Sequence, residues 1–230
     1  MLIYGKNVVK EALYNKRKFY KLYVDTSMKD VAFLNLIKKF DVDVIHKSKE
    51  QLHNLSLQAN HQGVVAEVED YQIFDLTTLI AEGVEKLLIL DSIEDPHNLG
   101  AILRTAAASG IDAIVMSVKQ QVPLNATVAK VSSGGIEHIK VAVTPQLFKG
   151  IDDLKLAGFE IIGTDMSAKV SYRERKYQGK VAMIMGNEGS GLRPLVKKKC
   201  DQFVKIPMKG HMESLNVSVA AALLMYEMTQ

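Results

Sequence analysis

The sequence predicts an α/β protein in two parts: a small N-terminal α/β unit and a larger C-terminal unit built on a parallel sheet. Three observations carry that prediction. From Lys86 onward, short apolar runs alternate with segments of helical period, the pattern of a parallel sheet covered by helices on both faces. Before it, about seventy residues hold their own alternation of helices and strands, enough for a compact domain. Between the two, Asp70 to Glu85 is more polar and less periodic, with room for one helical turn. The expected division is residues 1–70, a linker at 71–85, and a second domain at 86–230.

In the first unit the periodicity predicts a helix over Asn7 to Tyr14, a strand over Phe19 to Val24 and a helix over Val31 to Phe40. A strand at Val42 to His46, a short helix at Lys49 to Leu55 and a strand at Gly63 to Glu69 complete it. In the second unit strands are expected at Lys86 to Asp91, Ala113 to Val118, Ile139 to Val143, Glu160 to Thr164, Val181 to Met185 and Phe203 to Ile206. Helices fit at Leu99 to Ser109, Ala126 to Ser132, Gln146 to Leu156, Leu192 to Lys199 and Leu215 to Met228. In such a sheet, ligands bind where the strands end.

Three strand ends attract attention. After Asp91 comes SIEDPHNLGAILRTAAASG, in which Pro96 suits a first helical turn and Asp95 or Asn98 suits a cap. Arg104 stands there among small and apolar residues; an anionic ligand and an internal carboxylate are both open as its partner. After Met185 comes GNEGSGL, whose glycines at 186, 189 and 191 let a ligand approach the main chain. Its glycine order is GxxGxG, no GKS or GKT follows, and Glu188 would repel a pyrophosphate, so neither a dinucleotide fingerprint nor a P-loop is present. After Ile206 and Pro207 a polar loop runs to Ser214, the expected N-cap of the last helix, with Asn216 and Ser218 in its first turn. Capping accounts for Ser214 and leaves Asn216 without a structural reason.

Composition narrows the function classes. With 24% charged and 47% hydrophobic residues the chain is of ordinary globular type. No apolar run spans a bilayer and MLIYGKNVVKEAL is unlike a signal peptide, so a cytoplasmic protein without a membrane partner is expected. One cysteine, Cys200, and six scattered histidines give no basis for a disulfide or a metal site. The net charge of +3 is small, but Lys6, Lys10, Lys16, Arg17, Lys18 and Lys21 face only Glu11 over that stretch. A phosphate-facing surface and a solvated helix face explain that cluster equally well.

Taken together, NLGAILRTA at Asn98 to Ala106, MGNEGSGL at Met185 to Leu192 and IPMKGHMESLNVSVAAA at Ile206 to Ala222 resemble the three motifs of the SpoU, or TrmH-like, RNA ribose 2′-O-methyltransferases of the SPOUT superfamily. The likeness continues through HQGVVAEV at His61 to Val68 and LNATVAKVSSGGIEHIKV at Leu124 to Val141, and so covers nearly the whole chain. It looks nearest to the branch that methylates a guanosine in large-subunit (23S) ribosomal RNA.

The resemblance implies a SPOUT domain with a deep trefoil knot, which pattern reading alone would never suggest because knots are rare. It implies S-adenosylmethionine as cofactor, held by backbone around Met185, Gly186, Ile206, Met208 and Leu215, with Thr164 a further contact. It assigns catalysis to Asn98, Arg104, Glu188, Ser214 and Asn216, and implies a homodimer whose active site draws on both protomers. The first unit resembles the small ribosomal-protein-like RNA-binding domain of these enzymes, which tips the Lys6 to Lys21 cluster toward RNA. Two alternatives stand beside ribosomal RNA methylation: a transfer RNA guanosine as acceptor, and a non-catalytic RNA-binding or ribosome-assembly factor on the same fold. A dinucleotide-dependent oxidoreductase is disfavoured by the glycine order.

Overall fold

The computed structural model describes residues 1–187, 189, 191–211 and 214–230. Glu188, expected in the site, lies outside the described residues.

Two compact units form, Met1–Tyr71 with Leu124–His138, and Gln72–Pro123 with Ile139–Gln230. In the first, chain order is β1 (Leu2–Tyr4), α1 (Lys6–Tyr14), β2 (Phe19–Asp25), α2 (Val31–Ile37), β3 (Val44–Lys47), α3 (Lys49–Leu55) and β4 (Val64–Val68). Its sheet runs β1-β4-β2-β3, with β4 antiparallel to both neighbours and β2 parallel to β3. Tyr23, Leu52 and Val65 meet in its core. Ser48 opens α3 with a capping box shared with Gln51, which fixes where that short helix starts.

The segment Leu124–His138, read from sequence as part of the second unit, packs into this first one. It carries α6 (Ala126–Val131) and a 3-10 turn, Gly135–His138. Val128 and Ala129 are buried, and Lys130 donates to Gln62 at 2.8 Å. Gly134 abuts α1 so closely that a Cβ there would lie 2.7 Å from the Glu11 side chain. A six-residue apolar stripe states that a helix buries one face, but not which unit receives it.

Arg17, expected in an RNA-facing cluster, is instead held by this segment with its side chain buried. Its Nη1 lies 2.8 Å from Glu137 Oε1, the two side chains being only 6% and 3% exposed. Its other terminal nitrogen donates to the Glu69 carbonyl, and the guanidinium stacks 3.7 Å from the centre of the Tyr71 ring. The other five residues of the cluster remain at least partly exposed.

The second unit holds α4 (Leu76–Ala81), β5 (Lys86–Leu90), α5 (Pro96–Ser109), β6 (Ala113–Ser117), β7 (Lys140–Thr144), α7 (Leu147–Leu156), β8 (Glu160–Thr164), β9 (Val170–Ser171), β10 (Val181–Met185), α8 (Pro194–Lys197), β11 (Gln202–Lys205) and α9 (Val217–Met228). Its seven strands pair in parallel in the order β7-β6-β5-β10-β8-β11-β9. Late strands enter the interior of the sheet: β10 lies between β5 and β8, and β11 between β8 and β9. Leu87, Ile89, Val115, Ile151, Ile161 and Ile184 centre the core. Strands buried on both faces explain why β5, β6 and β10 read as continuous apolar runs.

Several boundaries differ from expectation for local reasons. Asp95 caps α5 by accepting from His97 N–H at 2.9 Å, so that helix begins at Pro96 rather than Leu99. The expected helix at Leu192 to Lys199 shrinks to α8, opening at Pro194. β1 and β9, three and two residues long, are too short to show a period. Ser214 is not the N-cap of the last helix. Asn216 is, its Oδ1 accepting from Ser218 N–H at 2.9 Å, and α9 starts at Val217. Among the described residues no helix is long and apolar enough to cross a membrane.

Candidate active site

The carboxyl ends of β8, β10 and β11 open onto one cavity of about 420 Å³. A parallel sheet points its strands the same way, so three loops distant in sequence are delivered to one edge. Thr164 ends β8, and its hydroxyl donates to the Ile184 carbonyl at 3.3 Å, tying β8 to β10 where the cavity begins. Met185 ends β10 and Gly186 follows it. Ile206 and Met208 continue from β11, while Ser214 and Leu215 lead into α9. The structure thus brings Thr164, Met185, Gly186, Ile206, Met208 and Leu215 together as lining of this cavity, with Ser214 beside them.

The glycine-rich loop is a closed turn. Asn187 N–H donates to the Gly191 carbonyl at 3.1 Å and Gly191 N–H returns the bond at 2.9 Å. Asn187 Oδ1 accepts from Gly189 N–H at 2.9 Å, and its Nδ2 donates to the Ser92 carbonyl at 3.1 Å, fastening the turn to the β5–α5 loop. A Cβ on Gly186 would fall 2.3 Å from main-chain atoms of Gly191, so no other residue fits without moving the loop.

A second fastening went unread in the sequence. Asp91, wholly buried at the end of β5, takes a two-pronged ion pair from Arg193, with Nη2–Oδ1 at 2.6 Å and Nε–Oδ2 at 3.1 Å. Arg193 directly follows the glycine loop and precedes α8, so the pair brackets that loop from its far side. The only trace in sequence is an arginine adjoining GSGL and an aspartate ending an apolar strand. Asp165 is a further lining residue not expected from sequence. Lys197 at 2.5 Å, then Ser167, hold its carboxyl down at about 2.

At the start of α9 the structure joins two of the expected catalytic residues. Asn216 Nδ2 donates to Asn98 Oδ1 at 2.9 Å, across 118 positions of sequence. Asn98 sits in the first turn of α5, which packs against α9. Leu215 and Val217, on either side of Asn216, both line the cavity, so this amide pair stands at its edge. Arg104 lies on the same helix as Asn98 and its side is exposed. Among the described residues no three His, Cys, Asp or Glu side chains cluster as a metal site would need.

A cavity at the carboxyl ends of parallel strands, walled by glycine main chain and apolar side chains and flanked by polar groups from two helix starts, marks the second unit as a ligand-binding domain. Comparison with known proteins specifies which. The family model described as "SpoU rRNA Methylase family" matches residues 85–226, and that described as "RNA 2'-O ribose methyltransferase substrate binding" matches residues 2–74. The chain is 42% identical, over 98% of its length and 93% of the other's, to the putative TrmH family tRNA/rRNA methyltransferase YacO of Bacillus subtilis. A crystal structure of an RNA 2′-O ribose methyltransferase superposes with a TM-score of 0.82 at 27% identity, over 99% of this chain and 86% of that one. An rRNA methyltransferase from Sinorhizobium meliloti, solved with bound AdoMet, superposes with a TM-score of 0.82 at 24% identity, over 98% of this chain and 85% of that one. The chain belongs to the SpoU family of S-adenosylmethionine-dependent RNA 2′-O ribose methyltransferases.

Proposed function

We propose that this protein, as a cytoplasmic homodimer, transfers a methyl group from S-adenosylmethionine to the ribose 2′-hydroxyl of a guanosine in large-subunit ribosomal RNA. One observation carries the reading: six residues from three strand ends line a single cavity whose edge holds the Asn216–Asn98 pair. The cavity suits the cofactor. Its volume is within the range of small-molecule sites, Leu192, Val217 and Leu224 give apolar walls for a flat base, and the missing side chain at Gly186 keeps the main chain approachable.

Bound there, the cofactor supplies a methyl group activated on a sulfonium. The protein's part is to align oxygen, carbon and sulfur and to see the hydroxyl proton away. The 2′-oxygen would accept that methyl group from the sulfonium, and its proton would pass to water or an RNA phosphate. Asn98 and Asn216 orient the acceptor side through their shared hydrogen bond. Arg104 anchors an RNA phosphate, because a guanidinium holds its proton too firmly to be a good base. Glu188 and Ser214 organise the arginine and the RNA on the strength of the family resemblance alone.

Dimerisation has physical support in α9, whose outward positions Val219, Leu223 and Tyr226 repeat at helical spacing; Val219 and Tyr226 are each half exposed. Ribosomal RNA is favoured by the family model's description. A transfer RNA acceptor is the second reading, favoured by the relatives named tRNA/rRNA methyltransferase. Transfer of labelled methyl from S-adenosylmethionine to unmethylated large-subunit ribosomal RNA, and in parallel to unmethylated transfer RNA, tests both. Label confined to transfer RNA, or to a base rather than a ribose, overturns the proposed acceptor. No transfer together with no cofactor binding overturns the enzyme.

A further inference from the structure

The basic stretch Lys6 to Lys21 is one cluster in sequence, but the fold divides it. Lys6, Asn7, Lys10 and Tyr14 form one wall of a groove of about 410 Å³, and Asn35 and Lys39 belong to the opposite wall, from α2 and the turn after it. Lys6 and Asp30 also line an adjoining cleft of about 690 Å³ in the same unit. Lys29 and Lys49, far from the cluster in sequence, line that cleft with the amides of Gln58, Asn60 and Gln62. Lys16, Lys18 and Lys21 line neither.

The chemistry of this double groove is that of an unpaired nucleic acid strand. Tyr14 is half exposed, and its ring is steadied edge-on by Phe40 at 6.1 Å, with Lys10 Nζ 5.7 Å from its centre. A ring presented beside cations is a platform for a base, whereas a duplex keeps its bases stacked on one another. The two carboxylates present are already engaged. Asp30 accepts from Lys6 Nζ at 2.6 Å and Phe33 N–H at 3.0 Å, and Asp25 accepts from the N–H and hydroxyl of Ser27, both at 2.8 Å. His61 lines the cleft as a buried ring. Its Nδ1 accepts from Gly63 N–H at 2.9 Å, which leaves the proton of the neutral ring on Nε2, and that atom has no partner among the described residues.

We infer that the groove between α1 and α2, continued by the cleft around His61, docks an unpaired segment of the RNA substrate, one base stacking on Tyr14 while Lys10, Lys29, Lys39 and Lys49 take phosphates. The inference rests on the RNA methyltransferase reading above and relocates its RNA contacts away from Lys16, Lys18 and Lys21.

The test measures RNA binding by the full-length protein, using a short fluorescein-labelled single strand and the same strand annealed to its complement. The single strand is expected to bind more tightly than the duplex. Tyr14→Ala is expected to weaken the single strand about tenfold, with Tyr14→Phe restoring affinity because stacking needs only the ring. Joint reversal of Lys29, Lys39 and Lys49 to Glu is expected to weaken it at least as much and to flatten the salt dependence; reversal of Lys16, Lys18 and Lys21 is expected to do far less. Melting temperature and cofactor affinity, read on each variant, separate loss of the groove from loss of the fold. Wild-type binding with groove variants that match it, or a larger loss from the Lys16, Lys18 and Lys21 set, overturns the inference alone. A wild-type protein that neither binds nor methylates RNA overturns the RNA reading and this inference with it.

Discussion

The sharpest test of the cavity is Gly186→Ala. An added Cβ would lie 2.3 Å from both the carbonyl carbon and oxygen of Gly191 and 2.5 Å from Leu192 N, where ordinary contact begins near 3.4 Å. All three atoms are main chain, so no rotamer change relieves the clash. The turn must move by about 1 Å, against the Asn187–Gly191 bridge, the Asn187–Ser92 bond and the Asp91–Arg193 pair that pin it. Overpacking of that kind costs about 1–3 kcal/mol, which lowers the melting temperature of a chain this size by about 2–12 °C. A displacement of about 1 Å at a positioned site costs about a hundredfold in turnover.

Calorimetric titration with S-adenosylhomocysteine, thermal melting and methyl transfer would be read on wild type, Gly186→Ala and Gly189→Ala. The second variant is the control, since among the described residues a Cβ there meets only Asn187 Oδ1, at an ordinary 3.7 Å. Gly186→Ala is expected to lose most cofactor affinity and Gly189→Ala to keep it. If Gly186→Ala binds within about twofold of wild type and melts at the same temperature, the turn is not the rigid cavity wall described above.

Asn216→Ala removes the α9 cap and is expected to cost about 1 kcal/mol by urea unfolding; Asn216→Asp keeps the oxygen that caps Ser218 but loses the donor to Asn98, so stability should hold while single-turnover methyl transfer falls. Glu137→Gln leaves the Arg17 guanidinium buried without its counter-ion and is expected to cost about 3–5 kcal/mol, with Arg17→Met plus Glu137→Leu recovering most of it; equal denaturation midpoints for the single variant and wild type would refute the pair's importance. His61 titrates below its ordinary 6.5, first because burial penalises the charged ring and then because His53 lies against it. The folded state therefore prefers the neutral ring, so stability is complete above pH 6.5 and declines below it, a decline that His61→Phe should remove from urea midpoints compared across pH 7.5 and 5.5. Arg104→Lys separates anchor from base: an anchor keeps much of kcat with a raised KM for RNA, whereas a guanidine base loses kcat with RNA affinity intact.

Elements of the second unit were legible where burial is two-sided and long. β5, β8 and β10 lie within a residue of their expected spans because runs of four or five consecutive apolar or small residues, Leu87–Leu90, Ile161–Thr164 and Val181–Met185, admit little else. Legibility fell where the deciding contact is distant. Leu124–His138 shows a helical stripe, but the first unit claims it through Arg17, Glu11 and Gln62, partners about 70 to 130 residues upstream. Arg17 failed for the same reason: charge along a sequence says nothing about whether Glu137 waits inside. The site followed a similar rule. Each of its loops announces itself by glycine, amide and hydroxyl content at a strand end, and the parallel sheet then guarantees that the loops meet.

The exchange of roles between Ser214 and Asn216 shows what joins them. Sequence makes Ser214 the obvious cap and leaves Asn216 surplus, because both types serve at that position and the earlier one comes first. The structure starts α9 two residues later, so Ser214 and Leu215 precede the helix and line the cavity while one asparagine serves twice: Oδ1 closes the helix and Nδ2 reaches Asn98. An aspartate would cap as well and a serine nearly so, but neither carries a donor beside the capping oxygen with that reach. The side chain that begins the last helix therefore also ties it to the first turn of α5, the helix that carries Arg104. The cap and the link to Asn98 use different atoms of one side chain, which is why Asn216→Asp should separate stability from turnover.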